Sequence, residues 1–545
     1  MINDKSDLKK APKSATSLFF SGVLALTVAN LLVKAVGLIS KIALNRVVGS
    51  IGAGYYSSAY EIYAYLYVIS TAGLPVALSI MVAKSRSKNR FLESKKIFDV
   101  ALLLFLAIGF FFSIFMIIFS KQLANLIGAP NTSLCIVAIA PTILFICISS
   151  CLRGYFQGYQ MMTPTAISQL IEAFCKVGIG VSFALWAKSK GYADYVVASY
   201  TILGVTIGVF FGMVYLYVSK MLFKEKYYFD NALLDKESIK ISKIISEMLK
   251  IAIPITLSSS VLSLTTILDT VMVQKRLLRF GMDEISVRIF YGDYTSLVIS
   301  MFTLPTIFLY PIANALVPII TTAHEKNDLI KEEKMRFFSI RVVVMIALPC
   351  AIGLSLFSKP ILSLLMFKPD SVERAAPWLS IASLSVLFLG IISITNSFLN
   401  SVGKQRLPII SMLSGAAIKL VSNYYLLGKI GIYGAPVSTV LCYIVASTLN
   451  IYFVVKYVGP LPKITDVLAK PFACAIFSIG LSALFYYLAI LVIPTKIATI
   501  LAILIASIMY FLSILMTKAI TVDEISMIPK GEKIIKILKK LKIFC

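Results

Sequence analysis

Four lysines, Lys34, Lys41, Lys176 and Lys419, sit inside long apolar runs of this chain. A charge at the centre of a membrane helix costs about 2.5–3.5 kcal/mol on insertion scales, so such residues normally face a partner or a cavity. Lys34 and Lys41 are two helical turns apart and share a helix face. Acidic residues in comparable settings are fewer: Glu61, Glu172, Asp269 and, near a span end, Asp293. Glu172 and Lys176 are four apart, the spacing of a pair on one helix. The interior bias is therefore positive and suits an anion such as phosphate or pyrophosphate. Two readings compete with anion binding: internal salt bridges, and lysines snorkelling to headgroups. Snorkelling also accounts for Arg46, Arg86 and Arg153 at span ends. Asp269, with Asn423, is the candidate cation site, against a simple pairing of Asp269 with a cavity lysine.

These side chains need membrane-spanning elements to hold them. The 545 residues are 59% hydrophobic and 14% charged, with mean hydropathy +0.89, whereas soluble domains are about a quarter charged. Apolar runs of spanning length recur from end to end, which predicts an all-α polytopic membrane protein. Fourteen helices are expected near 17–46, 55–83, 97–120, 132–152, 163–187, 195–219, 250–274, 289–322, 338–357, 376–401, 407–427, 434–455, 468–491 and 497–517. Pro75 should break the second, and Pro305, Pro311 and Pro318 the eighth, freeing carbonyls that can line a cavity. The first span is too long for a signal-peptide core and reads as uncleaved.

An even count puts both termini on one side. Most of the 52 Lys and Arg fall on that side, which the positive-inside rule makes cytoplasmic, in the cell membrane. The stretch Lys275 to Arg288 runs against this bias. The net charge of +26 lies in short loops and suits an anionic leaflet, not nucleic acid. "KESIKISKIISEMLK" in the 220–249 connector and the basic tail 518–545 are amphipathic and expected along the membrane surface. The eight cysteines form no CxxC and read as small apolar residues, and His324 alone cannot anchor a metal. No cofactor is expected. With no phosphate-binding GxxxxGK[ST] loop, transport would run on a membrane potential or gradient, with Na+ or H+ as the candidate coupling ion.

"ISQLIEAFCK" at 167–176 matches "ISMLSGAAIK" at 410–419 in Ile, Ser, Leu, Ala and Lys, an offset of 243. Upstream, Gln157 falls opposite Asn400. A weaker echo pairs Tyr55 with Tyr291, Pro75 with Pro311 and Ala77 with Ala313. Two parallel six-helix repeats follow: an N-terminal lobe 1–219, the linker 220–249 and a C-terminal lobe 250–455. Helices thirteen and fourteen, 456–517, lie outside the repeat. Transporters of this design place substrate between halves and alternate access by rocking. Lys176 and Lys419 are matched positions and should face a common cavity, whereas Gly415 stands where Glu172 would be. Glu172 then reads as a local counter-ion holding Lys176.

The chain resembles the multidrug/oligosaccharidyl-lipid/polysaccharide (MOP) flippase superfamily, and within it the polysaccharide-biosynthesis group of stage V sporulation protein B and MurJ-like lipid II flippases. "NLLVKAVGLISKIALNRVVGSIGAGYYSSAYEIYAYLYVISTAGLPVAL" at 30–78, "LRGYFQGYQMMTPTAISQLIE" at 152–172 and "NSFLNSVGKQRLPIISML" at 396–413 carry the resemblance. It implies two six-helix lobes around a V-shaped central cavity, with the last two helices extending a groove for a lipid tail. It also implies a substrate in which undecaprenyl pyrophosphate carries a sugar, lipid II foremost, moved from inner to outer leaflet for cell wall or spore cortex. Cell-wall synthesis proteins become candidate partners besides the lipids. In that family the cavity's basic residues are largely arginines; here Lys34 and Lys41 stand instead, without arginine's bidentate phosphate geometry. Lys34, Lys41, Lys176 and Lys419 are the expected pyrophosphate ligands. Glu61, Glu172, Arg153, Gln157 and Asn400 are the expected polar or gating residues. A family sodium site on helices seven and eleven would fall near Asp269 and Asn423. Two alternatives stand beside a flippase: a cation-coupled multidrug antiporter of the same superfamily, and a polytopic glycan-building enzyme.

Overall fold

In the computed structural model the described residues are 15–88, 90–223, 240–310, 313, 329–365 and 368–517, and their regular structure is entirely helical. The helices are α1 (Ala15–Thr71), α2 (Leu74–Ser87), α3 (Phe91–Ile118), α4 (Ser120–Ile127), α5 (Ser133–Ile139), α6 (Pro141–Gly158), α7 (Thr163–Ser189), α8 (Asp194–Leu222), α9 (Ile241–Arg279) and α10 (Glu284–Asp293). After a π-helical turn at Tyr294–Ile299 come α11 (Leu329–Leu356), α12 (Ser358–Leu364), α13 (Pro369–Ala382), α14 (Ser385–Ser401), α15 (Arg406–Ile430), α16 (Gly434–Tyr457), α17 (Ile464–Ala489) and α18 (Thr495–Met516). Among the described residues nine segments are long and apolar enough to cross a membrane, or ten counting α13 and α14, bent by 44°, as one. Helices satisfy every backbone group within one segment, which hydrocarbon requires. The chain is an all-helical, multi-span membrane protein.

Two compact units divide the chain, Met1–Gln274 and Lys275–Cys545. In the first, α1 kinks at Gly49, whose φ of 77° a side chain would strain. The break expected at Pro75 falls just before it, at Ala72–Gly73, and Pro75 takes the first turn of α2. A proline lacks an N–H, so it starts a helix more readily than it sits inside one. Gly73 N–H donates to Thr256 Oγ1 at 3.2 Å, and Gln274 Nε2 to Ser58 Oγ at 3.1 Å, tying α9 to α1 and α2.

Two expectations change at α9. Residues 241–249, expected along the membrane surface, are its first turns, with Ile244 and Met248 buried in the core. The basic stretch Lys275 to Arg288 holds only a short turn at 280–283: Arg276 and Arg279 close α9, and Arg288 is fully buried in α10. A hydropathy window ends a span where lysines begin, yet hydrogen bonding continues through them.

Helices α7 and α8 pack through "GVTIGVFFG", with glycines at 204, 208 and 212 on one face of α8. A Cβ on Gly208 would lie 2.8 Å from the Glu172 carbonyl oxygen, and one on Gly212 would lie 2.6 Å from Glu172 Cγ. In lipid no hydrophobic force pulls helices together, so this close approach supplies the packing.

In the second unit Asp293 is buried and paired with Arg374 at 2.7 Å. Tyr294, in the π-helical turn, hydrogen-bonds with Thr439 at 3.2 Å. Asn450 Nδ2 donates to Asn396 Oδ1 at 2.7 Å, joining α16 to α14. Arg336 of α11 pairs with Glu332 and donates to the Pro460 carbonyl at 3.0 Å, anchoring the turn that leads to α17. Pro305 sits in a turn after the π-helical stretch. Pro311, Pro318, His324, most of the 220–249 segment, the tail and the side chain of Lys34 lie outside the described residues.

Candidate functional site

A pocket of about 330 Å³ opens in the first unit among α1, α6, α7 and α8. One wall is aromatic. Tyr56, Tyr60, Tyr63 and Tyr67 follow a helical repeat on α1, with successive ring centroids 6.1, 5.6 and 6.0 Å apart. Tyr60, Tyr63 and Tyr67 line the pocket. The facing wall is polar: Gln169, Glu172 and Lys176, spaced three and four apart, share a face of α7. Lys176 Nζ lies 4.8 Å from the Tyr60 ring centroid, a cation–π contact strengthened away from water, and is in electrostatic range of Tyr56. Glu172 interacts electrostatically with Tyr60 and Tyr63. Lys176 thus lies at the Tyr60 end of the aromatic rail, with Glu172 in range of Tyr60 and Tyr63.

Glu172 pairs with Arg153 of α6, not with Lys176. Arg153 Nε donates to Ser168 Oγ at 3.1 Å, and the residue is 9% exposed. Two expectations are thereby corrected. Arg153 does not snorkel, because α7 offers it a carboxylate and a hydroxyl inside the bundle. Glu172 is not chiefly the counter-ion of Lys176, whose ammonium turns to the tyrosines. A buried pair of this kind leaves an uncompensated charge if either partner is lost. With Arg153 neutralised by Glu172, Lys176 gives the pocket its net positive charge.

Lys41, half-buried on α1, lies in electrostatic range of both Glu61 and Lys176. Lys41 and Glu61 stand on opposite sides of the Gly49 kink and attract each other. Arg46 is exposed, whereas Arg86 stacks on Tyr159 at 4.1 Å. Gln157 is half-buried one turn beyond Arg153.

In the second unit Lys419 is half-buried on α15, in electrostatic range of Tyr443. Asn400 is exposed at the end of α14 and its carbonyl accepts from Gly403 N–H at 3.1 Å. Asp269 in the first unit and Asn423 in the second are both buried. The second unit also carries an apolar groove of about 720 Å³ among α11, α17 and α18, lined by residues including Met345, Pro349, Ile479, Ile503 and Phe511. Tyr510 at its side donates to the Met345 carbonyl at 2.8 Å.

The aromatic rail, Gln169 and the glycine face of α8 escaped the reading of single spans. Their signals were present: tyrosines at 56, 60, 63 and 67, and glycines every four residues from 204 to 212.

The offset of 243 also sets Arg153 opposite Asn396, Ser168 opposite Ser411, and Gln169 opposite Met412. Both members of the Arg153–Glu172 pair are thus neutral in the second unit, as Asn396 and Gly415.

The family described as polysaccharide biosynthesis protein matches residues 19–324, and the MatE family matches residues 254–425. The chain is 26% identical over 321 residues to stage V sporulation protein B of Bacillus subtilis (strain 168), spanning 58% of this chain and 60% of that relative. It is 24% identical to lipid II flippase MurJ of the same organism, over 82% of this chain and 84% of that one. Among solved structures, a lipid II flippase MurJ in an inward closed conformation superposes with TM-score 0.68 at 16% identity, covering 90% of this chain and 98% of that one. An inward-facing multidrug resistance MATE family transporter of the MOP superfamily superposes with TM-score 0.64 at 14% identity, covering 79% and 97%. At these identities the superpositions show a shared fold.

Proposed function

The chain belongs to the polysaccharide biosynthesis protein family, membrane transporters of the MOP superfamily rather than enzymes, and from that premise we propose that it is a flippase for a lipid-linked oligosaccharide. It would carry an undecaprenyl-pyrophosphate-linked glycan from the inner to the outer leaflet by alternating access, with both termini cytoplasmic. Lipid II is the foremost substrate.

The observation that carries this reading is the apolar groove of about 720 Å³ built with the last two helices, α17 and α18. A hydrophilic solute has no use for such a groove, whereas a polyprenyl tail already in hydrocarbon can fill it by shape and van der Waals packing without leaving an apolar setting. Lys176 supplies a cation for the pyrophosphate in the first unit, and Lys41, Lys419 and Lys34 are assigned the same role. Glu61, Gln157 and Asn400 are assigned to gating, and Asp269 with Asn423 to the coupling cation, Na+ or H+. We assign fourteen spans by reading the segments Ala35–Arg86 and Arg406–Tyr457, 52 residues each, as two crossings apiece, since 52 helical residues would measure about 78 Å, and by counting α9 and α10 as further crossings.

Depletion and complementation test the proposal. The chain should restore growth and outward exposure of a lipid-linked wall precursor in cells depleted of their lipid II flippase. Failure to restore either, together with resistance to cationic drugs on overexpression, would favour the multidrug antiporter instead.

A further inference from the structure

We infer that the first-unit pocket is a pyranose-binding subsite that reads the first sugar of the substrate, the one joined to the pyrophosphate. This rests on the proposed function and adds to it where recognition of the glycan takes place.

Three observations carry the inference. First, the pocket is two-faced along its length. Tyr60, Tyr63 and Tyr67 form one rail and Gln169, Glu172 and Lys176 the other. Seven residues of helix make each rail about 10.5 Å long. A pyranose has the same duality: a ring face of C–H bonds that packs on an aromatic ring, and a rim of hydroxyls that needs donors and acceptors. An anion alone would call for cations without the tyrosines, and a lipid tail would call for neither polar rail nor ion pair.

Second, the polar rail is graded. Lys176 sits at the Tyr60 end, its ammonium over that ring at 4.8 Å, and is the cation for a phosphate. Glu172, fixed by Arg153, follows one turn along. Gln169 comes last, and its Oε1 is buried without a hydrogen-bond partner among the described residues. A buried acceptor left unmade costs free energy, so a ligand hydroxyl that donates to it gains more than the bond alone. A site of this kind rejects the analogue lacking the hydroxyl.

Third, the pocket volume of about 330 Å³ lies at the lower end of the range for small-ligand sites. It suits one sugar ring beside a phosphate and not an extended glycan, so later sugars would go unread. The second unit does not repeat these features: Met412 and Gly415 stand opposite Gln169 and Glu172.

The test uses the full chain in lipid nanodiscs and two probes: undecaprenyl pyrophosphate, and the same lipid carrying one N-acetylhexosamine. The wild-type protein should bind the sugar-bearing lipid about tenfold more tightly, the worth of one or two hydrogen bonds. Tyr67→Leu and Gln169→Leu should each erase that difference and leave the affinity for the bare lipid unchanged, which also shows that the variants fold. Equal wild-type affinity for the two probes overturns the inference and leaves the flippase reading standing. Parallel loss of both affinities in the variants overturns it too, since the rails would then serve structure or phosphate alone. Binding of neither probe would remove the flippase reading and this inference together.

Discussion

The helices α7 and α15 carry matched lysines in unlike walls. Lys176 shares its face with Glu172, which pairs with Arg153. Lys419 has Gly415 at the corresponding position, and Asn396 stands where Arg153 would be. The packing differs in the same sense. Around Glu172 the glycines lie on the neighbouring helix, at 208 and 212, and the Glu172 carboxylate pairs with Arg153 of α6. Around Lys419 the glycine is on the lysine helix itself, where a Cβ on Gly415 would lie 2.5 Å from the Cys442 carbonyl oxygen. The duplication preserved a lysine and moved the small residue across the helix pair. One unit thereby gained a charged, aromatic pocket. The other carries a neutral wall and, elsewhere, the apolar groove.

The comparison breaks most visibly at the ion pair. Arg153→Ala or Glu172→Ala alone should destabilise the protein by about 3–5 kcal/mol, because each leaves a buried charge unpaired. The double variant R153N/E172G, which installs the second unit's residues, should lose clearly less than the sum of its singles. Thermal unfolding in detergent measures this, and strict additivity would mean that the pair is not a unit. Overpacking comes next. Gly208→Leu and Gly415→Leu should each cost about 1–3 kcal/mol, since both push helices apart at backbone contacts. A large loss at only one of them would show that the two interfaces are not equivalent. The smallest effect is in the groove. A Cβ on Gly353 meets nothing nearer than Ile479 Cδ1 at 4.0 Å, so Gly353→Leu should fold normally. Its side chain would fill groove space and weaken binding of a polyprenyl lipid about tenfold, with no effect on binding of inorganic pyrophosphate.

Lys176, its twin Lys419 and the helices bearing them were legible in the sequence, because a lysine in an apolar run is conspicuous and repeats copy it. Partner choice was not. Glu172 has Lys176 four residues along its own helix, but its nearer cation is 19 residues back on α6. Local spacing says which residues share a face and not which neighbouring helix that face meets. Arg153 looked like a span-end arginine for the same reason. The end of α9 was misjudged because hydropathy registers where charge begins, whereas Arg276 stays helical, stacked 4.1 Å over Tyr424 and donating to its carbonyl at 2.9 Å. The groove of α11, α17 and α18 is a product of tertiary packing, and no single span announces it.

The most direct test reconstitutes the purified chain in liposomes with a fluorescent undecaprenyl-pyrophosphate-linked oligosaccharide and follows its movement between leaflets. Wild-type protein should accelerate translocation well above protein-free liposomes. Lys176→Ala should reduce the rate at least tenfold, and Lys419→Ala should reduce it less. Translocation no faster than in protein-free liposomes, or a rate indifferent to Lys176, would contradict the account.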